Sequence, residues 1–412
     1  MATRRSFARR FARVFGPDSS AAVQSIVALL ISIVATLIAG LLLASAEDRL
    51  ARLPGLLLMV PAAIAQRGNV FGAMGSRLGT AIHTGEFALT RRIDTVFGQN
   101  VIASLGLSLI AATWLALIAW LLSIVFAVAD HMSFLDFVAV SVLGGVIASL
   151  LVLAITIALA AGSTRFGWDL DNVTAPLVTG TGDLVTLPAL IIGSLVVGES
   201  VASEVLGVVA IVVALVVLGL CVRSSLALLR RIVVESVPVL ALASTLSLVA
   251  GTVVEKRLSS FLDQPALLIL LPAYFGMAGA LGGILSSRLG SNIHLGLIEP
   301  TRFPQRRAWV DIRAVSALAL PIFALVGVAS HAGAGLVDVA SPGLGSMVAV
   351  ATLAGLGATI VVLAVAYYGT LFAVRSGLDP DTASIPLTNS VLDLVGAFTL
   401  VGSIVLLGVG AI

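Results

Sequence analysis

Polar residues recur at helical spacing within DLDNVTAPLVTGTGDLVT, Asp169 to Thr186, a stretch that lies between two long apolar runs. A helix would place three of them and a proline on one face, at i, i+4, i+7 and i+11: Asn172, Pro176, Thr179 and Asp183. Pro176 would also free a backbone carbonyl about four residues earlier. Carboxylate, amide, hydroxyl and carbonyl oxygens are the ligands of hard cations. The stretch therefore predicts a helix face that binds a cation.

A second copy of this stretch, DPDTASIPLTNSVLDLVG, occupies residues 379–396. Asp393 follows Asp183 by 210 residues, and the same face again holds one Thr, one Pro, one Asn and one Asp: Thr382, Pro386, Asn389 and Asp393. Neither face has a cationic side chain of its own. We predict that six side chains of the two faces hold the metal ion: Asp183, Asp393, Asn172, Thr382, Thr179 and Asn389. Pro176 and Pro386 are expected to line its path.

The composition places both stretches in a membrane. The 412 residues are 59% hydrophobic and 11% charged, with a mean hydropathy of +1.14, whereas soluble domains average about 25% charged residues. We predict an all-α, multi-pass protein of the cell membrane, with no enzymatic activity and no nucleic-acid partner. The single cysteine, Cys221, excludes a disulfide within the chain. Eleven spans are expected, near 20–45, 54–82, 101–129, 134–162, 172–197, 203–222, 233–254, 265–294, 312–332, 343–373 and 384–410.

Asp183 would lie deep in its span, about 16 Å along the helix from Asn172. An ionised carboxylate near the bilayer centre costs at least about 2.5–3.5 kcal/mol, so it needs water, an ion or a partner. A buried, protonated or hydrogen-bonded Asp is the structural alternative. Four more acids are expected at the mouths of the two helices, as helix caps or as a vestibule that concentrates cations: Asp169, Asp171, Asp379 and Asp381.

A second pair of segments repeats at nearly the same offset. Residues 58–85, LMVPAAIAQRGNVFGAMGSRLGTAIHTG, align without gaps on residues 269–296, and His294 follows His83 by 211 residues. Small residues four apart flatten a helix face and allow backbones to approach closely, which predicts either helix packing or a path lined by bare backbone: Gly68, Gly72, Gly279 and Gly283. Asn69 adds a polar group to this lining, although Ala280 occupies the equivalent position. The histidines are expected to end their helices.

Duplication at one offset predicts two five-helix units of the same orientation, related by a pseudo-two-fold axis along the membrane normal. A shared pathway would then lie between the units. With the N-terminus cytoplasmic and the C-terminus outside, 18 Arg and Lys residues fall in inner segments and 4 in outer ones, as the positive-inside rule requires. The predicted divisions are a basic cytoplasmic N-terminus at 1–19, a first unit at 20–200, a joining helix and cytoplasmic linker at 201–232, and a second unit at 233–412.

The fifth-span stretches and the segment RGNVFGAMGSRLGTAIHTG resemble motifs of the MgtE family of magnesium channels and the related solute-carrier magnesium transporters. Leu170 replaces the first Pro of the family's fifth-span motif. The resemblance implies a pore between two units, with hydrated Mg²⁺ held at Asp183 and Asp393. Bacterial members pair two identical chains and carry cytoplasmic regulatory domains. With about 19 residues before its first span, this chain is expected to form the pore as a monomeric pseudo-dimer without those domains.

Two other readings of the acidic pair are open. It could belong to a Na⁺- or H⁺-coupled transporter of another solute. Na⁺ or H⁺ is also the candidate coupling ion if the protein exchanges Mg²⁺. Gly180 to Asp183, GTGD, also matches the signature of intramembrane aspartyl proteases. The second unit reads NSVLD at the equivalent place, so the signature is not repeated, and Asp393 follows Leu392 where those proteases have a Tyr-Asp partner. Mg²⁺ is the expected cargo, Mn²⁺ and Co²⁺ are further candidates, and membrane lipids are the expected surroundings.

Overall fold

The structure is a computed structural model, which describes residues 19–45, 53, 55–126, 131–197, 200–255, 264–377 and 380–409. Within these residues the regular structure is helical, and ten helices are at least 18 residues long and apolar enough to cross a membrane. The predicted span 54–82 is an eleventh, since residues 56–83 stay helical although a π-helix divides them. The prediction of a multi-pass, all-α membrane protein is confirmed, and the orientation of its termini stays a prediction.

The first half of the chain contains α1 to α6 and the π-helix, and α7 joins it to the second half. Their bounds are α1 Ser19–Ser45, α2 Leu56–Arg67, the π-helix Gly68–Gly72, α3 Ala73–His83, α4 Val96–Val125, α5 Phe134–Phe166, α6 Leu170–Ser194 and α7 Ser200–Val222. The second half contains α8 Ala227–Glu255, α9 Ala266–His294, α10 Arg306–Leu336, α11 Leu344–Arg375 and α12 Pro380–Leu406. The helices of the third and ninth predicted spans begin several residues before their predicted starts, at Val96 rather than 101 and at Arg306 rather than 312.

The two halves exchange contacts in a symmetric way. The first helix of each half, α1 or α8, packs on the fifth-span helix of its own half and on the second-span helix of the other half. A Cβ placed on Gly40 of α1 would lie 2.7 Å from the carbonyl oxygen of Ile269. A Cβ on Gly251 of α8 would lie 3.5 Å from the carbonyl oxygen of Leu58. Gly251 is the repeat equivalent of Gly40, and Leu58 is the repeat equivalent of Ile269. At both crossings a glycine therefore allows the two helix backbones to approach closely.

The second-span helices differ between the halves. In the first half the turn from Gly68 to Gly72 is a π-helix, and Arg67 precedes it. The equivalent part of α9 is an uninterrupted α-helix, although Gly279 and Gly283 occupy the equivalent positions. The prediction of a plain helix over 54–82 therefore misses the wider turn. Such π-bulges within α-helices occur often at functional sites.

The outer surface of the bundle is apolar. Large aliphatic side chains of the joining helix are exposed, for example Val205, Val212 and Leu215. The second-span and fifth-span helices contact one another through buried residues. Among the candidate spans, α9 has the largest share of buried residues. This distribution, with apolar groups outside and polar groups between the halves, suits a bundle surrounded by lipid.

Candidate cation pathway

Asp183 of α6 and Asp393 of α12 line one cavity between the two halves. The cavity is about 110 Å³ in volume, on a scale on which one water needs about 10–15 Å³. Gly68, Gly279 and Thr179 also line it. It extends towards the end of the bundle that holds the C-terminal parts of α1 and α8, where Leu43 and Val254 belong to its wall. The structure thus places both carboxylates at one cavity, which has room for several waters.

The two carboxylates have different surroundings. Asp183 is 1% exposed, and neither of its carboxylate oxygens has a hydrogen-bond partner among the described residues. Asp393 is partly exposed and accepts a short hydrogen bond from the Ser247 hydroxyl of α8. Thr36 is the repeat equivalent of Ser247, but its hydroxyl donates to its own helix, to the carbonyl of Ser32 at 3.0 Å. An uncompensated buried carboxylate is costly, and of the two acids only Asp183 lacks a hydrogen-bond partner among the described residues.

A neighbouring helix approaches Asp183 closely. A Cβ placed on Gly276 of α9 would lie 3.0 Å from Oδ2 of Asp183 and 2.9 Å from Cγ2 of Thr36. Glycine therefore keeps this side of the carboxylate open to the cavity. The equivalent position in the first half is Ala65, which also lines the cavity.

A hydrogen-bonded pair of asparagines, one from each half, lies beside this cavity. Nδ2 of Asn389 donates to Oδ1 of Asn69 over 2.9 Å, and both side chains are buried. Oδ1 of Asn389 has no hydrogen-bond partner among the described residues. Asn69 lines neither space itself but holds Asn389, which lines both, and the pair supplies an unsatisfied acceptor next to the cavity.

The path narrows from this pair towards the loops 84–95 and 295–305, which the sequence predicts to be cytoplasmic. A second space of about 10 Å³, enough for about one water, lies between the helices and is lined by Gly68, Gly72, Thr174, Thr179, Gly279, Gly283, Ser287 and Asn389. One helical turn further, the hydroxyls of Ser76 and Ser287 form a hydrogen bond of 2.7 Å. These serines are repeat equivalents, so the two halves meet here through equivalent residues.

The predicted lining is thus partly assembled. The four predicted glycines, Thr179, Asn389 and both deep acids contact the two spaces, whereas Pro176 and Pro386 are buried and line neither space. Asp379 lies outside the described residues, as do the side chains of Asp171, Asn172, Asp381 and Thr382.

The mouth at the predicted cytoplasmic end holds charged pairs. Asp169 lies 3.8 Å from Nε2 of His83, and both are partly exposed. Arg288 pairs with Asp311 at 3.2 Å. In the first half an asparagine replaces the aspartate of this pair: Nε of Arg77 donates a hydrogen bond to Oδ1 of Asn100 over 2.8 Å. These arginine contacts tie the second span to the third span in both halves, and they hold the residues beside Ser76 and Ser287 in place.

Sequence reasoning missed several residues of the site. Ser76 and Ser287 belong to the repeated tetrapeptide SRLG, and they continue the rows of small residues at i+4 after Gly72 and Gly283, which is the signal that could have found them. No comparable local signal marks Gly276 or Ser247. Among the described residues, no group of three or more His, Cys, Asp or Glu side chains could hold a metal ion. The cavity thus offers two carboxylates and space for water rather than a closed metal cage.

Comparison with known proteins decides the family. The model of the MgtE family, described as a divalent cation transporter, matches residues 60–193 and again residues 271–403. The chain belongs to this family. The two matches begin 211 residues apart and together cover more than half of the chain, and each runs from the second span to the fifth span of one half. The predicted resemblance is therefore confirmed, and so is its assignment to two repeated segments.

Three individual relatives share about a quarter of the aligned residues with this chain. Solute carrier family 41 member 2 of Xenopus laevis is 25% identical over 91% of this chain and 70% of its own length. The human member 2 is 24% identical over 91% of this chain and 68% of its own length. Solute carrier family 41 member 3 of Rattus norvegicus is 25% identical over 58% of this chain, and the chain spans about half of that relative, 52%. Membership of a transporter family agrees with the prediction that the chain is not an enzyme.

The close approach at Gly276 gives a first prediction. Gly276→Ala is expected to lower cation flux about tenfold, since the added methyl group would displace Asp183 or Thr36 at a cost of about 1–3 kcal/mol. Flux into liposomes measures the effect. Gly219→Ala on the joining helix is the matched control, because nothing lies within 4 Å of a Cβ placed there. Equal flux in both variants would show that the space beside Asp183 is not needed.

Proposed function

We propose that the protein carries Mg²⁺ across the membrane along the path between its two halves, with the ion held between Asp183 and Asp393. The observation that carries the proposal is the pair of repeat-equivalent carboxylates in one cavity, in which neither oxygen of Asp183 has a hydrogen-bond partner among the described residues. Mg²⁺ gives up its waters reluctantly and is commonly held by one or two carboxylates with several waters retained. A cavity with room for several waters and two carboxylates suits an ion of this kind.

The asparagine pair and the narrow space beyond it have roles in this proposal. The amide oxygen of Asn389 and the hydroxyl of Thr179 face the spaces on either side of the pair, so they can accept hydrogen bonds from the waters of a hydrated ion. The space of about 10 Å³ is too small for an ion with its waters. Passage would therefore require the second-span helices to separate where Ser76 meets Ser287. One chain supplies both halves of this path, as a monomeric pseudo-dimer.

Flux into liposomes tests the proposal. Purified protein is reconstituted around a Mg²⁺-sensitive dye, and the wild type is expected to admit Mg²⁺ while the Asp183→Asn/Asp393→Asn variant admits no more than protein-free liposomes. Asparagine keeps the shape of each side chain and removes its charge, so the variant is a matched control. Equal Mg²⁺ flux through the variant and the wild type would refute the proposed site.

The same assay distinguishes the modes of transport and the ions. Flux that needs an opposing Na⁺ or H⁺ gradient would identify an exchanger, and flux down the Mg²⁺ gradient alone would identify a channel. Replacing Mg²⁺ by Mn²⁺ or Co²⁺ tests the other candidate cations. A Na⁺ or H⁺ flux that Mg²⁺ does not affect would instead favour a coupled transporter of another solute.

A further inference from the structure

A buried arginine stands next to the proposed cation path. Arg67 is 1% exposed and is the largest side chain of the fully buried set. It ends α2 just before the π-helix, near the middle of a segment that spans the membrane from residue 56 to 83. The guanidinium carries a permanent positive charge in proteins, and cationic side chains within a membrane are costly and usually functional. In a cation transporter, a fixed positive charge at this depth would repel the transported ion, so its presence calls for an explanation.

The protein holds this guanidinium with neutral groups. NH1 donates to the carbonyl of Gly145 over 3.1 Å and to the hydroxyl of Ser149, and NH2 donates to Oε1 of Gln66 over 2.8 Å. A Cβ placed on Gly145 would lie 3.3 Å from NH2, so glycine there leaves room for the charged group. Among the described residues no carboxylate forms an ion pair with Arg67. Its charge is therefore solvated by dipoles but not neutralised.

The charge lies behind one of the two proposed ligands. The stem of Arg67 packs on Gly182, where a Cβ would lie 3.1 Å from Cβ of the arginine, and Gly182 directly precedes Asp183. Arg67 itself lines neither of the two spaces, because its guanidinium extends to α5. The arginine therefore lies against α6 directly beside Asp183 without contact to the cavity.

Only one half carries such a charge. The repeat equivalent of Arg67 is Ala278, 211 residues later, which is buried in α9. If both carboxylates are ionised, they and the guanidinium together carry a single net negative charge. Asp183, whose oxygens lack hydrogen-bond partners among the described residues, is the carboxylate on the side of the arginine.

We propose that Arg67 is a fixed counter-charge that weakens the hold of the cavity on a divalent cation and thereby permits its release. The idea rests on the proposed function, since it needs a cation between Asp183 and Asp393. Coulomb energy is proportional to the product of the charges. The arginine therefore opposes a divalent ion twice as strongly as a monovalent ion at the same place, and it moderates the site's preference for the divalent ion.

Binding measurements with full-length protein in lipid nanodiscs test this role. Mg²⁺ affinity is measured by calorimetry, and Na⁺ affinity by its competition with Mg²⁺. Arg67→Gln is expected to bind Mg²⁺ about tenfold more tightly and Na⁺ about threefold more tightly, because the logarithm of the change scales with ionic charge. Its maximal Mg²⁺ flux is expected to fall about tenfold, since release becomes slower.

Two variants separate charge from structure. Arg67→Lys keeps the charge, and Ser149→Ala removes a hydrogen bond but keeps the charge, so both are expected to retain wild-type affinities within about twofold. Unchanged or weaker Mg²⁺ binding in folded Arg67→Gln would overturn the proposal. It would also be overturned if the affinities for Mg²⁺ and Na⁺ rose by the same factor. If Arg67→Gln does not fold, Arg67→Met replaces it, and failure of both to fold would assign Arg67 a structural role instead.

Failure of the proposed function would be recognised separately. In that case the wild type and the Asp183→Asn/Asp393→Asn variant would show the same Mg²⁺ binding, whatever the residue at position 67. A difference between these two proteins, with no effect of Arg67→Gln, would refute the counter-charge alone.

Discussion

Oxidation of a protein that carries both Ser76→Cys and Ser287→Cys is expected to stop Mg²⁺ transport completely, and reduction is expected to restore it. The two hydroxyl oxygens lie 2.7 Å apart in the closed path, and the thiols that replace them would be close enough to form a disulfide with little backbone movement. The bond would join α3 to α9 at the point where the helices must separate for a hydrated ion to pass. Flux into liposomes before and after oxidation measures the effect.

The native sequence is convenient for this experiment, because it contains a single cysteine. Cys221 is buried in the joining helix, and Cys221→Ala removes it from the background. Each serine variant alone is the matched control, since it has the same change in size without a partner to bond. Unaltered flux through protein that is fully cross-linked at 76 and 287 would mean that the ion does not pass between these helices.

The helices and the repeat follow directly from the sequence. Apolar runs of this length have few structures open to them, since backbone groups within a bilayer must be satisfied internally. The offset of 210 to 211 residues predicts which residues are equivalent, and the contact of Ser76 with Ser287 agrees with it. Helix ends are less well predicted. The third span of the first half begins at Val96 rather than 101, where Thr95 caps it by accepting a hydrogen bond from the amide of Gly98.

The asymmetry of the site could not be predicted from the same pattern. Both second spans have glycines at the equivalent positions, yet only Gly68–Gly72 is a π-helix. The difference accompanies Arg67 and Asn69, whose side chains bond to α5 and α12, whereas Ala278 and Ala280 make no such bonds. Contacts of this kind depend on how helices far apart in the sequence meet in the bundle, and spacing along one helix carries no information about them.

The unequal surroundings of the two acids lead to the last prediction. Asp183→Asn is expected to lower Mg²⁺ flux about a hundredfold and Asp393→Asn about tenfold, which corresponds to a difference of about 1.4 kcal/mol in transition-state free energy. Neither carboxylate oxygen of Asp183 has a hydrogen-bond partner among the described residues, so its charge would be fully available to a cation. Asp393 already accepts a hydrogen bond from Ser247, which disperses part of its charge. The initial rate of dye response in liposomes, at equal protein content, measures both values.

Stability measurements give an independent test of the same asymmetry. Without Mg²⁺, Asp183→Asn is expected to raise the unfolding temperature, since a neutral amide loses less hydration than a carboxylate when it is buried without partners. Added Mg²⁺ should stabilise the wild type, by about 2.7 kcal/mol at a hundred times its Kd, and should leave Asp183→Asn nearly unchanged. Asp393→Asn is expected to retain part of the Mg²⁺ effect. Ser247→Ala frees the Asp393 carboxylate and should strengthen that effect, and an equal Mg²⁺ response in all four proteins would contradict a role for either acid in holding the ion.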